Sequence, residues 1–274
     1  MKILFNYANN GYYNSQKNNT LTGISVGGFD KSYSFNFSDI DNEFYQKNKF
    51  ILDKPRGAGY WIWKYYFSLK ILNDDSVSEN DIIFYCDSGS YFINSIDPMI
   101  DVFRRDNLSV MTFLQLHKSS KWTKRDMFHY MDADEPKFTD TGQRVGGFFM
   151  FKKDNFSKNF FSECLKYACD YRIITDEPNE CGLPNYPDFV DHRHDESLIS
   201  IMSKKYNLYP YRNPCQYGVD EILKYTKNEY TKKSYLEHIN SGGWDYGTFE
   251  QYPDIITDNK SDYPTTIFLT RDRR

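Results

Sequence analysis

The sequence predicts an α/β fold, with a mainly parallel sheet flanked by helices, on three observations. Apolar stretches of strand length alternate with helical ones through roughly the first two hundred residues. The run Asp81-Ile-Ile-Phe-Tyr-Cys86 is continuously apolar after its first residue, as a strand covered on both faces must be. In 155–170, Phe156, Phe160, Phe161, Cys164, Leu165 and Ala168 fall on one helical face, while Lys158, Glu163 and Lys166 fall outside it.

Taken in order, Lys2–Tyr7 reads as a first strand, followed by a Gly/Asn/Ser-rich loop to about Asn19. Residues 43–52 read as a short helix, and Lys54–Gly59 (KPRGAG) as a loop. Tyr60–Leu72 reads as a helix that is apolar nearly all round, so it is deeply buried or lines a cavity. Further strands are expected at Ser109–Leu114, Gly146–Phe151 and Asn207–Tyr211. Thr123 with Asp126 resembles a capping box opening a helix to about Met131. After the Pro/Asn-rich loop 177–188 and Val190–Ser197, a helix is expected through Lys205. The chain divides into a catalytic domain at 1–215 and a C-terminal extension at 216–274 packed on it. That extension should carry a helix near 219–239 and a strand near 265–269.

Composition narrows the function. The net charge is −4 with no long charged block, which disfavours a general nucleic-acid binder, although a few basic residues suffice for one diphosphate. Five cysteines, odd in number and without paired-ligand spacing, suit reduced thiols in a cytoplasm-like compartment. The opening apolar run is too short for a secretory signal, and no stretch approaches a membrane span. The 24 Tyr and 22 Phe could be stacking platforms, but biased base composition explains them as well, so they decide nothing.

Four features could carry chemistry. Asp87 follows a buried strand and precedes Ser-Gly-Ser, at the sheet edge where α/β folds bind ligands; its carboxylate could hold magnesium or manganese, or simply cap the turn. Gly57 and Gly59 precede a helix whose free N–H groups could face an anion, with Arg56 and Lys64 adding charge. His192, Arg193, His194, Asp195 and Glu196 open a helix. They suit metal ligation, general base work or stabilisation of an anomeric cation, against the plain alternative of a solvated helix start. Lys124 and Arg125 sit where a cation opposes the helix dipole, which with Arg144 invites an anionic partner; ordinary surface charge is equally compatible.

In this order Gly59-Tyr-Trp-Ile-Trp-Lys64, Ile83-Phe-Tyr-Cys-Asp-Ser-Gly89, Gln143-Arg-Val-Gly-Gly147 and Asp191-His-Arg-His-Asp-Glu-Ser197 resemble GT-A glycosyltransferases. The resemblance is to bacterial enzymes of surface-polysaccharide (O-antigen or capsule) synthesis and covers about residues 1–215. It implies a Rossmann-like GT-A sheet, a nucleotide-sugar donor (UDP favoured) and a saccharide acceptor. It implies donor and diphosphate contacts from Lys64, Asp87, Gly89, Lys124, Arg125, Arg144 and His194. Asp87 takes the first position of the Asp-x-Asp metal motif, but Gly89 stands at the third. A second manganese or magnesium ligand would then come from His194 or Asp195, or basic residues would take over part of the metal's work. His194-Asp-Glu-Ser197 is similar to a tetrapeptide of retaining enzymes, so Asp195 would hold donor hydroxyls and Glu196 face the anomeric carbon, with a lean to retention.

The expected location is cytoplasmic, with peripheral membrane contact through Arg271–Arg274 as one option. Two rivals stand beside this reading. One is a hydrolase whose metal sits on His192, His194, Asp195 and Asp87; the other is a non-catalytic carbohydrate-binding protein built on the aromatics.

Overall fold

A computed structural model describes residues 1–216, 260–264 and 266–270. The expected helix at 219–239 and the Arg271–Arg274 tail lie outside the described residues.

The central sheet has the order β2 (Lys31–Phe35), β1 (Lys2–Tyr7), β3 (Ile82–Cys86), β7 (Phe148–Lys152), β5 (Val110–Lys118) and β6 (Gly142–Arg144), with β8 (Pro210–Tyr211) also on β5. β1 pairs parallel with β2 and β3, whereas β7 runs antiparallel to both β3 and β5. β8 is parallel and β6 antiparallel to β5. Thus β1, β2, β3, β5 and β8 share one direction, and the expected α/β class with a mainly parallel sheet holds. A small antiparallel ladder joins β4 (Tyr91–Phe92) to β9 (Phe268–Leu269), the strand expected near 265–269.

The period-2 alternation of side chains sorts the strands onto two cores. Ile3, Phe5, Tyr7, Ile83, Tyr85, Phe149 and Phe151 point to one face. There they meet the Trp63–Leu72, Asn155–Ala168 and His194–Lys205 helices through Tyr65, Phe67, Phe161, Cys164, Leu198 and Ile201. Leu4, Phe84, Cys86, Phe148 and Met150 point to the other face, onto Ile100 and Phe103 of the Asp97–Arg105 helix and onto Phe268 of β9. Apolar cover on both faces is why β3 reads as a continuous hydrophobic run.

Several local expectations change. The segment expected as a loop to Asn19 contains a helix, Tyr13–Thr22, with almost no apolar face. Tertiary hydrogen bonds hold it instead: Gln16 Nε2 donates to the Phe35 carbonyl, and Asn19 Nδ2 to the Ser90 carbonyl at 2.9 Å. The 43–52 helix is broken at Asn48 into Asn42–Lys47 and Lys49–Leu52. The capping box at Thr123 is not formed. The Arg125–Tyr130 helix has Lys124 as its cap residue, and Asp126 instead accepts the backbone N–H groups of Glu180 and Cys181. β2 and the Asp97–Arg105 helix were not expected. The first has a half-exposed, mixed pattern, and the second is short and opens with Pro98 at a permitted position.

Candidate active site

The C-terminal ends of β1 and β3 open onto a cavity of 590 Å³. Its wall includes Tyr7, Trp61, Trp63, Asp87, Gly89 and Glu196, and its volume lies in the range of small-molecule and cofactor sites.

Asp87 follows β3 directly. Its N–H donates to the Gly147 carbonyl at 2.8 Å, and its Oδ1 accepts the Tyr85 hydroxyl. Its side chain is 47% exposed, so it remains open to a ligand. Oδ2 carries no hydrogen bond among the described residues. The turn that follows is pinned by Asn19, and around Gly89 a side-chain carbon would find open space.

Lys64 reaches the same point from the Trp63–Leu72 helix. Its Nζ donates to Asp195 Oδ2 at 2.6 Å and to the Gly146 carbonyl at 2.9 Å, and lies 3.3 Å from Asp87 Oδ1. The lysine side chain is only 3% exposed. Burial opposes its charge, but Asp195 and Asp87 outweigh burial and hold its pKa above the usual lysine value.

The third arm is the start of the His194–Lys205 helix. Asp195 is buried, and its backbone carbonyl accepts the Tyr65 hydroxyl at 2.7 Å. Burial pushes its carboxyl up to about 7; Lys64 opposes that shift, and the like charges of Asp87 and Glu196 add to it. Glu196 is half-buried on the cavity wall, its Oε2 accepting the Gly146 N–H at 3.3 Å.

Gly146 and Gly147 let these arms meet. A Cβ on Gly146 would lie 2.8 Å from Glu196 Cβ, and one on Gly147 would lie 3.1 Å from Asp87 Oδ2. The glycines were legible as part of a motif, but their spacer role was not. A glycine pair ahead of a strand signals close backbone approach, without saying to what.

Other expected site residues lie elsewhere. His194 is buried, with Nε2 donating to Asp176 Oδ1 at 2.9 Å and its ring stacked on Tyr60. His192 Nε2 donates to the Ile173 carbonyl at 3.0 Å, and burial drives its pKa well below the usual histidine value. Lys124 Nζ donates to the Glu177 and Thr175 carbonyls. Arg125 pairs with Asp134, and its guanidinium lies 4.2 Å from the Tyr186 ring centroid. Arg144 is buried, bonds the Gly142 and Gln143 carbonyls, and is pushed down by burial to about 10. None of these five lines the cavity. The two histidines, bonded to Ile173 and Asp176, therefore lie away from the cavity that Asp87 lines. No group of three or more His, Cys, Asp or Glu side chains suited to a metal occurs among the described residues. The hydrolase reading loses its ligand set.

A residue missed by the sequence is Trp61. Every residue from Gly57 to Trp61 has a left-handed φ: 60°, 51°, 92°, 51° and 61°. Such a conformation costs about 1–2 kcal/mol for each non-glycine residue, so Ala58, Tyr60 and Trp61 are held there by their surroundings. Arg56 pairs with Asp176 and Asp191, and Trp63 Nε1 donates to the Gly57 carbonyl at 2.9 Å. The expected helix at Tyr60–Leu72 consequently begins only at Trp63.

No protein family matches the sequence, and no curated protein matches it. Among solved structures the chain is similar to mouse xyloside xylosyltransferase 1 in its apo form, with a TM-score of 0.45 and 9% identity over 78% of this chain and 85% of that one. No helix among the described residues is long and apolar enough to cross a membrane.

Proposed function

We propose that the protein is a glycosyltransferase that moves a sugar from a nucleoside-diphosphate donor, UDP-sugar favoured, to a saccharide acceptor. The observation that carries this reading is that two acids on one cavity wall, Asp87 and Glu196, adjoin the buried Lys64–Asp195 pair beyond the strand ends, where open α/β sheets bind ligands.

Glycosyl transfer breaks the bond between the anomeric carbon and a diphosphate oxygen, so positive charge grows on the sugar ring and negative charge on the leaving group. Lys64 is a fixed, buried cation behind the cavity-lining Asp87, and offsets negative charge on the leaving diphosphate from there. Asp195, once ionised, accepts hydrogen bonds from donor hydroxyls. Glu196 faces the developing oxocarbenium, as stabiliser or as nucleophile, and retention of anomeric configuration is the favoured outcome. Asp87 Oδ2, a hard carboxylate oxygen, would hold a divalent cation, magnesium or manganese. Such an ion, when bound, supplies Lewis-acid neutralisation of the diphosphate. Surface-polysaccharide synthesis in the cytoplasm, at the inner membrane face, is the setting this reading favours.

The test is a transfer assay over UDP-sugars and saccharide acceptors with manganese, the product's anomeric configuration being read by NMR. Asp87→Ala and Glu196→Gln should each lower turnover about 100- to 1000-fold, the usual cost of a principal electrostatic group. Their melting temperatures should stay close to wild type. Transfer at wild-type rates by both variants would rule the assignment out.

A further inference from the structure

We propose that the Trp61 indole is a stacking floor for a pyranose ring, and that the left-handed Gly57–Trp61 turn exists to present it. This rests on the glycosyl-transfer reading and assigns that cavity a sugar subsite.

Two indoles line the cavity, and they differ. Trp63 is buried and stacks on Tyr7 at a centroid distance of 3.9 Å and 20° between planes, so one of its faces is already covered. Trp61 is half-buried on the wall. One side of its ring is backed by Gly57, where a Cβ would lie 2.3 Å from Cδ2 and 2.4 Å from Cε3. The residue at 57 must therefore lack a side chain for the indole to lie down. Gly59 is also tightly packed, a Cβ there falling 2.8 Å from Leu52 Cα. Behind the turn, the His194 ring contacts Trp61 at 5.5 Å and stacks on Tyr60 at 4.9 Å, and His194 is held in turn by Asp176. A consecutive left-handed run, ion-paired at its base and wedged by an aromatic ring, fixes the indole's attitude before any ligand arrives.

Position selects the ligand. Trp61 and Glu196 line the same cavity, so the indole shares its wall with the acid assigned to the reacting sugar carbon. The neighbouring cations offer no competing anion site, since Arg56 is spent on Asp176 and Asp191, and Lys54 on Glu177. An aromatic face has negative charge density at its centre, which suits the axial C–H groups of a pyranose.

The test is calorimetric titration of wild type, Trp61→Ala and Trp61→Phe with UDP, UDP-glucose, UDP-galactose and a panel of methyl pyranosides. Trp61→Ala should weaken at least one sugar-bearing probe about tenfold or more, the size expected for losing one stacking ring. Its affinity for UDP alone should stay within about twofold, and Trp61→Phe should recover most of the loss. A loss confined to UDP-sugars identifies the donor's ring; a loss confined to methyl pyranosides identifies the acceptor's. Unchanged affinity for every sugar-bearing probe, parallel loss of UDP itself, or no binding of any probe by the wild type would overturn the proposal. Transfer activity with sugar affinity indifferent to Trp61 sinks the subsite and leaves the enzyme. Trp61-dependent pyranoside binding without UDP binding sinks the enzyme and leaves the subsite.

Discussion

Among the described residues, Lys64 and Lys124 are both buried beside acids, and their settings are opposite. Lys64 lies 2.6 Å from Asp195 and 3.3 Å from Asp87, both carboxylates strengthen its charge, and the cluster borders the cavity. Lys124 lies 3.8 Å from Asp126 and spends its hydrogen bonds on the Thr175 and Glu177 carbonyls. Burial dominates there and lowers its pKa, with Asp126 opposing. The first arrangement leaves one acid, Asp87, open at a cavity. The second ties the 175–177 segment to the start of the Arg125–Tyr130 helix. Burial and an adjacent acid are common to both lysines; of the acids beside them, Asp195, Asp87 and Asp126, only Asp87 is open to solvent, and the proposed function rests on that difference.

Lys64→Met should have the largest effect. It strands Asp195 without its counter-charge, so stability should fall by about 3–5 kcal/mol and transfer should be abolished, as measured by urea unfolding and the transfer assay. Survival of transfer in a folded Lys64→Met protein would end the distinction between the two lysines.

The pH profile follows next. Asp195 has its pKa raised to about 7 and must be ionised to accept hydroxyl protons. kcat/KM should therefore climb about tenfold per pH unit below that value and level off above it. Asp195→Asn should remove the limb, and a flat profile in the wild type would assign Asp195 to packing alone.

Lys124→Met should cost about 1–3 kcal/mol by leaving two buried carbonyls short of a donor, with kcat close to wild type; a collapse of kcat in the folded variant would bring Lys124 back to the chemistry. The smallest effect is expected from Arg125→Ala. Its pair with Asp134 is partly exposed, and such pairs contribute about 0.2–1 kcal/mol.

What could be read from the sequence, and what could not, follows the range of the forces involved. β3 was legible because burial on both faces leaves a continuous apolar run, and Asp87 was legible because it ends that run. The Asn155–Ala168 helix was legible from its single apolar face. The Tyr13–Thr22 helix was not, because long-range hydrogen bonds from Gln16 and Asn19 hold it in place of a hydrophobic stripe. Lys54–Gly59 was legible as a loop from its proline and glycines, but Tyr60–Ile62 looked like the start of the following helix. The reversed handedness of Gly57–Trp61 comes from packing against His194 and Leu52, more than a hundred residues away in one case and near in the other. Among the candidate charges, Lys64 and Asp195 could not be separated from Lys124 and His194 by spacing. Only the tertiary fold shows that Lys64 and Asp195 pack against the cavity-lining Asp87, whereas Lys124 and His194 bond to the 175–177 segment.

The most direct measurement is calorimetric titration of UDP with manganese into wild type and into Asp87→Ala. The account predicts saturable one-to-one binding by the wild type and at least about tenfold weaker binding by the variant, the loss of one principal ligand to the diphosphate–metal unit. Equal affinity in the two proteins would contradict it, because the acid that closes β3 would then have no part in gripping a pyrophosphate.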